Sequence, residues 1–114
     1  MRFLIPLLAL AGPALAEPPV IEAVEAVPDG DGWRVSVTLS HPDTGWDHYA
    51  DGWRIEDDAG HDLGTRVLHH PHVNEQPFTR SLRLALEGDG PFHVRARCSV
   101  DGWSETRVPL VLPD

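Results

Sequence analysis

WRVSVTLS, residues 33–40, alternates without a break: Trp33, Val35, Val37 and Leu39 fall on one side, and Arg34, Ser36, Thr38 and Ser40 on the other. Successive side chains of an extended chain point to opposite faces, so this is a strand with one face buried and one in water. The pattern recurs outward from it between turn signals. PDGDG (28–32) is a turn, and PVIEAVEAV (19–27) before it is a strand of looser pattern. HPDTGWDHYADG (41–52) is irregular and reads as loop. WRIED (53–57) and DLGTRVLHH (62–70) flank DAGH as a hairpin. FTRSLRLAL (78–86) puts Leu82, Leu84 and Leu86 on one face, and FHVRARCSV (92–100) turns Phe92, Val94, Ala96, Cys98 and Val100 inward. ETRVPLVL (105–112) closes the chain, and its Pro109, which cannot donate to a ladder, places it at an edge. No stretch holds a helical period. About seven short strands in about 100 residues predict an all-β fold, an immunoglobulin- or fibronectin-type-III-like β-sandwich.

The first sixteen residues stand outside this pattern. Arg2, an apolar run from Phe3 to Gly12 broken only by Pro6, and Ala14-Leu15-Ala16 have the form of a cleaved signal peptide. The expected division is therefore a signal peptide over 1–16 and a single β-sandwich domain over 17–114. The apolar run is shorter than the roughly 20 residues that span a bilayer, and no second one follows, so no membrane insertion is expected after cleavage. No cysteine lies at the cut, so no lipid anchor is expected there. The expected location is periplasmic or secreted. The single Cys98 cannot form an internal disulfide. From Glu17 onward eight arginines face eighteen carboxylates, a balance of −10, with no lysine. That excludes the basic footprint of a nucleic-acid or anionic-membrane partner.

DGW occurs at 31–33, 51–53 and 101–103. Asp-Gly tolerates the backbone of tight turns, and each Trp is expected to open the strand that follows. A tryptophan-lined carbohydrate platform is the alternative use of such rings.

Two segments, HPDTGWDHYADGW (41–53) and LGTRVLHHPHVNEQPFTRSL (63–82), together resemble an uncharacterised family of small exported bacterial β-rich proteins. The resemblance covers about a third of the chain beyond the leader. It implies a bacterial envelope location and a β-rich fold, and no activity, cofactor or catalytic residue.

The chemistry-bearing residues concentrate in those same segments. In HHPH, His70 and His72 are two apart, and Pro71 keeps the chain extended, so both imidazoles point to one face. Such a pair can hold one metal, zinc or copper being the ions that imidazole and carboxylate suit. His41 and His48, with Asp43 and Asp47, are the candidate further ligands if the 41–52 segment packs beside it. Cys98 reads as core. A second candidate is a recognition surface of Trp46, Tyr49, Asn74, Glu75, Gln76 and Arg80, since polar loops on a rigid scaffold commonly bind. Ordinary loop structure explains the same residues without a ligand.

No nucleophile elbow, zinc-protease helix, Cys-x-x-Cys or phosphate loop is present, and no carboxylate pair is singled out by spacing. The expectation is no enzyme. The first reading is a small exported envelope protein acting as a non-catalytic binding or accessory module for an unknown protein or small ligand. The alternative is a periplasmic zinc- or copper-binding protein using clustered histidines, and the third is an enzyme of unknown type.

Overall fold

The computed structural model describes residues 17–113. The expected leader, 1–16, lies outside the described residues. Eight strands follow in order: β1 Val20–Asp29, β2 Gly32–Ser40, β3 Ala50–Asp57, β4 Asp62–Val67, β5 Phe78–Leu84, β6 Phe92–Cys98, β7 Gly102–Trp103 and β8 Val108–Leu110. All pairings between them are antiparallel. One sheet has the order β1-β2-β5, the other β4-β3-β6-β7 with β8 also on β6. The two stack as a β-sandwich, as the alternation predicts.

The inward positions of both sheets fill one core. Val35, Val37 and Leu39 of β2 and Phe78 of β5 meet Trp53 and Ile55 of β3 and Phe92, Val94 and Ala96 of β6. Trp53 is fully buried, and truncating such a ring to alanine costs about 3–5 kcal/mol. On the outer face of the smaller sheet, hydroxyl pairs Ser36–Ser81 (2.8 Å) and Thr38–Thr79 (2.7 Å) tie β2 to β5 across strands.

Two expectations change in detail. The 101–103 segment forms a short extra strand, β7, beside β6, giving eight strands. The second DGW is not a turn: Gly52 and Trp53 lie within β3, where the register against β6 shifts between Ala50 and Gly52. Such a bulge accommodates an extra residue and lets the chain leave the 41–49 loop at an angle. Pro109 sits in β8, which pairs only with β6 and forms an edge.

The outer face of the larger sheet carries a feature that alternation does not reveal. Glu56 is fully buried. It accepts from Arg54 Nε at Oε2 (2.7 Å) and from Arg95 Nη2 at Oε1 (3.2 Å), and it faces Arg107 Nε at Oε1 (3.2 Å). Arg54 and Arg95 are direct cross-strand neighbours. The carboxylate between them offsets a like-charge repulsion that would otherwise destabilise the pair.

Candidate metal centre

At one end of the sandwich β2 ends, β3 begins and β6 ends, and the 41–49 loop closes over the gap. His41 follows β2 directly and is buried; its side chain is fully covered. Its Nδ1–H donates to Asp43 Oδ1 at 2.6 Å. That bond fixes the tautomer and leaves the Nε2 lone pair bare, and Nε2 is buried without a hydrogen-bond partner. Asp43 is itself held: its Oδ1 accepts the Ala50 N–H (3.0 Å) and its Oδ2 the His72 N–H (2.8 Å).

His48 arrives by a tight turn. Thr44 N–H donates to the His48 carbonyl (3.0 Å) and His48 N–H to the Gly45 carbonyl (3.2 Å). Gly45 has φ +148°, a conformation that side-chain-bearing residues rarely adopt. The turn brings the His48 ring edge-on to His41, with centroids 4.8 Å apart. The third member is Cys98, the last residue of β6. Its Sγ lies 3.5 Å from His48 Nε2 and accepts the Asp101 N–H at 3.3 Å. One ligand atom from each of His41, His48 and Cys98 lies within 4.8 Å of the others. Asp101 Oδ2 stands 3.5 Å from the sulfur as a further oxygen donor.

Two imidazoles and a thiol so placed could hold one metal ion. Zinc accepts Cys and His donors in a tetrahedron, and a His₂Cys trigonal set also suits copper. The Asp43–His41 bond is the carboxylate–histidine arrangement that orients a metal ligand and raises its basicity.

The HHPH segment meets the 41–50 loop through backbone amides. Asp43 takes the His72 N–H, while Gln76 accepts the His41 N–H (2.9 Å) and donates to the His72 carbonyl (2.8 Å). His70 and His72 are close, with centroids 4.8 Å apart, but His72 is buried and stacked on Phe78 at 3.9 Å. Arg80 donates to His72 Nε2 at 2.9 Å. A guanidinium only donates, so Nε2 accepts, Nδ1 carries the proton and neither nitrogen offers a lone pair. Burial first, and then the Arg80 charge, hold the His72 imidazole below its ordinary range. Thus His41 and His48 join Cys98, while His70 and His72 lie outside that cluster. Asp43 is taken up by the His41 ring and two backbone amides, and Asp47 accepts from Thr44 Oγ1 (3.2 Å) in the turn.

Among the recognition candidates, Gln76 and Arg80 are engaged within the protein by the bonds above. Trp46 is 69% exposed and stands edge-on to Tyr49, centroids 5.6 Å apart. Asn74 and Glu75 are exposed, and Glu75 reaches Arg80 at 3.3 Å.

No protein-family model matches the chain. It is 45% identical over 90 residues to a Halomicrobium mukohataei protein described as "Putative lipoprotein". That stretch is 78% of this chain and 44% of the relative, so the chain spans less than half of the relative's length. A solved structure of a hypothetical protein from Pyrococcus horikoshii OT3 superposes with a TM-score of 0.54 at 19% identity, over 87% of this chain and 92% of that one. At that identity the likeness is one of fold, and it is the β-sandwich that the two share.

Proposed function

We propose that the chain is a non-catalytic, exported metal-binding protein with one mononuclear site formed by His41, His48 and Cys98. The observation that carries this reading is the buried, unpartnered Nε2 of His41, on a ring that Asp43 holds beside a second imidazole and a thiol. An orphaned buried acceptor costs free energy, about 1–3 kcal/mol, and a bound cation would remove that cost. The acidic balance of the chain favours cations over anions. Zinc and copper fit the donor set best. The leader expected over 1–16 and the lipoprotein description of the Halomicrobium relative support a place in the envelope.

Cobalt(II) titration of the untagged chain tests this. The expected result is one equivalent bound, with a thiolate-to-metal charge-transfer band that disappears in Cys98→Ser and is displaced by zinc. A band of the same strength in Cys98→Ser, or no binding to the parent, would reject the site. With copper(II), an intense visible thiolate band would favour an electron-transfer role, and its absence together with tight zinc binding a storage or structural one.

A further inference from the structure

We infer that the open groove beside Trp46 is a binding site for a neutral saccharide. The groove has a volume of about 590 Å³ and is lined by Trp46, His70, His72, Val73, Asn74 and Glu75. That volume lies within the roughly 300–1,000 Å³ of small-ligand sites.

Its parts match one ligand chemistry. Trp46 presents an indole 69% exposed to solvent, steadied edge-on by Tyr49. Leaving so large an apolar ring in water has no folding benefit, and a flat exposed aromatic face suits the C–H face of a pyranose ring. Asn74 makes no side-chain hydrogen bond among the described residues, and His70 makes only a long one, 3.4 Å to the Pro71 carbonyl. Among the described residues the Glu75 carboxylate has Arg80 as its one partner, at 3.3 Å. Amide, imidazole and carboxylate thus offer both donors and acceptors to hydroxyl groups. The floor is fixed, because the His72 ring is stacked on Phe78 and bonded to Arg80.

Charge selects among ligands. Glu75 on the rim and a chain balance of −9 repel anions. Of the lining residues Trp46 alone is a Trp, Tyr or Phe, fewer than the cage that captures a quaternary ammonium. A neutral sugar remains. This site stands independently of the metal reading, because none of its lining residues belongs to the His41, His48 and Cys98 set.

The test is an NMR titration of the full, untagged chain with the N-acetylglucosamine trisaccharide and with cellotriose, following the indole N–H of Trp46 assigned through Trp46→Ala. The expected result is a saturable shift of that resonance by at least one of them, with Kd on the order of 1 mM. Binding should be abolished in Trp46→Ala and weakened several-fold in Asn74→Ala. Trp46 is exposed, so its removal leaves the fold intact, which the unchanged core resonances check. No shift with either sugar would overturn the inference. So would sugar binding retained in Trp46→Ala, or a larger response to glucuronate or choline than to both neutral sugars. Loss of sugar binding with cobalt binding intact would leave the metal reading standing, and the converse result would leave this one.

Discussion

Two histidine pairs in this molecule have the same ring separation, 4.8 Å, and opposite chemistry. His41 and His48 face a cysteine, and the outer nitrogen of His41 is bare. His70 and His72 face a stacked phenylalanine and a guanidinium, and the inner ring is capped. Proximity therefore does not make a ligand pair. The partner of the other ring nitrogen does. A carboxylate at Nδ1 pushes the lone pair of His41 outward, whereas an arginine at Nε2 consumes that of His72.

The largest effect should come from the pair that is free. His41→Ala or Cys98→Ser is expected to weaken zinc binding by more than the roughly 10–100-fold that loss of an outer partner costs. Competition against a chromophoric chelator measures it. Equal affinity in both variants would erase the distinction between the pairs. Asp43→Ala should come next, because one carboxylate serves both pairs. It orients His41 and holds the His72 amide, so the expected loss is about 1–3 kcal/mol of stability for each buried donor left unpaired, read by urea unfolding, with metal affinity falling too. A loss of affinity without a loss of stability would mean that the two pairs are mechanically separate.

Arg80→Ala sharpens the comparison from the other side. It releases His72 Nε2, so a second, weaker metal equivalent is expected that vanishes when His70→Ala is added. No second equivalent would show that burial, rather than the guanidinium, silences that pair. The smallest effect concerns protons. His72 has a depressed pKa in the folded chain, so below its ordinary value of about 6.5 the unfolded chain binds more protons than the folded one. Stability should hold above that pH and fall as pH drops through it toward the folded value. In His72→Gln the slope of stability against pH in that window should be shallower, measured on the metal-free protein. An unchanged slope would assign the acid sensitivity to other groups.

Much of this was legible in the residues. Alternation placed β2 to within a residue and found where β5 and β6 begin, because each strand alternates in burial, but it overran the ends of those two by two residues: Val100, expected inward, lies past the end of β6 and is exposed. The irregular 41–52 segment was legible as the loop that carries His41 and His48. That Cys98 lies beside His41 and His48 was not legible. Period two shows that it turns inward, and along most of β6 inward means the core, beside Val94 and Ala96. At the last residue of the strand, inward means the loop-capped end. That depends on where β3 begins, which a register shift at Ala50 and Gly52 sets and no local pattern reveals. His72 was misleading for a similar reason. Its capping arginine lies on β5, across a proline-bounded loop, and nothing in HHPH announces it. Glu56 shows the same limit on the outer face, where a polar residue in an exposed position is covered by three arginine side chains.

The four-residue turn from Gly45 to His48 has two sides. Its inner end carries His48 toward Cys98, and its outer end holds Trp46 in water, joined through the Gly45 and Thr44 backbone bonds. Trp33 and Trp103 are partly shielded and Trp53 is buried, so Trp46 should supply the most solvent-relaxed, longest-wavelength part of the emission. An ion held at the proposed site by His48 would sit at the other end of the turn that carries that ring. Under the proposed metal reading, Trp46 emission is a label-free place to look for loading, on the same side chain that the proposed sugar would cover.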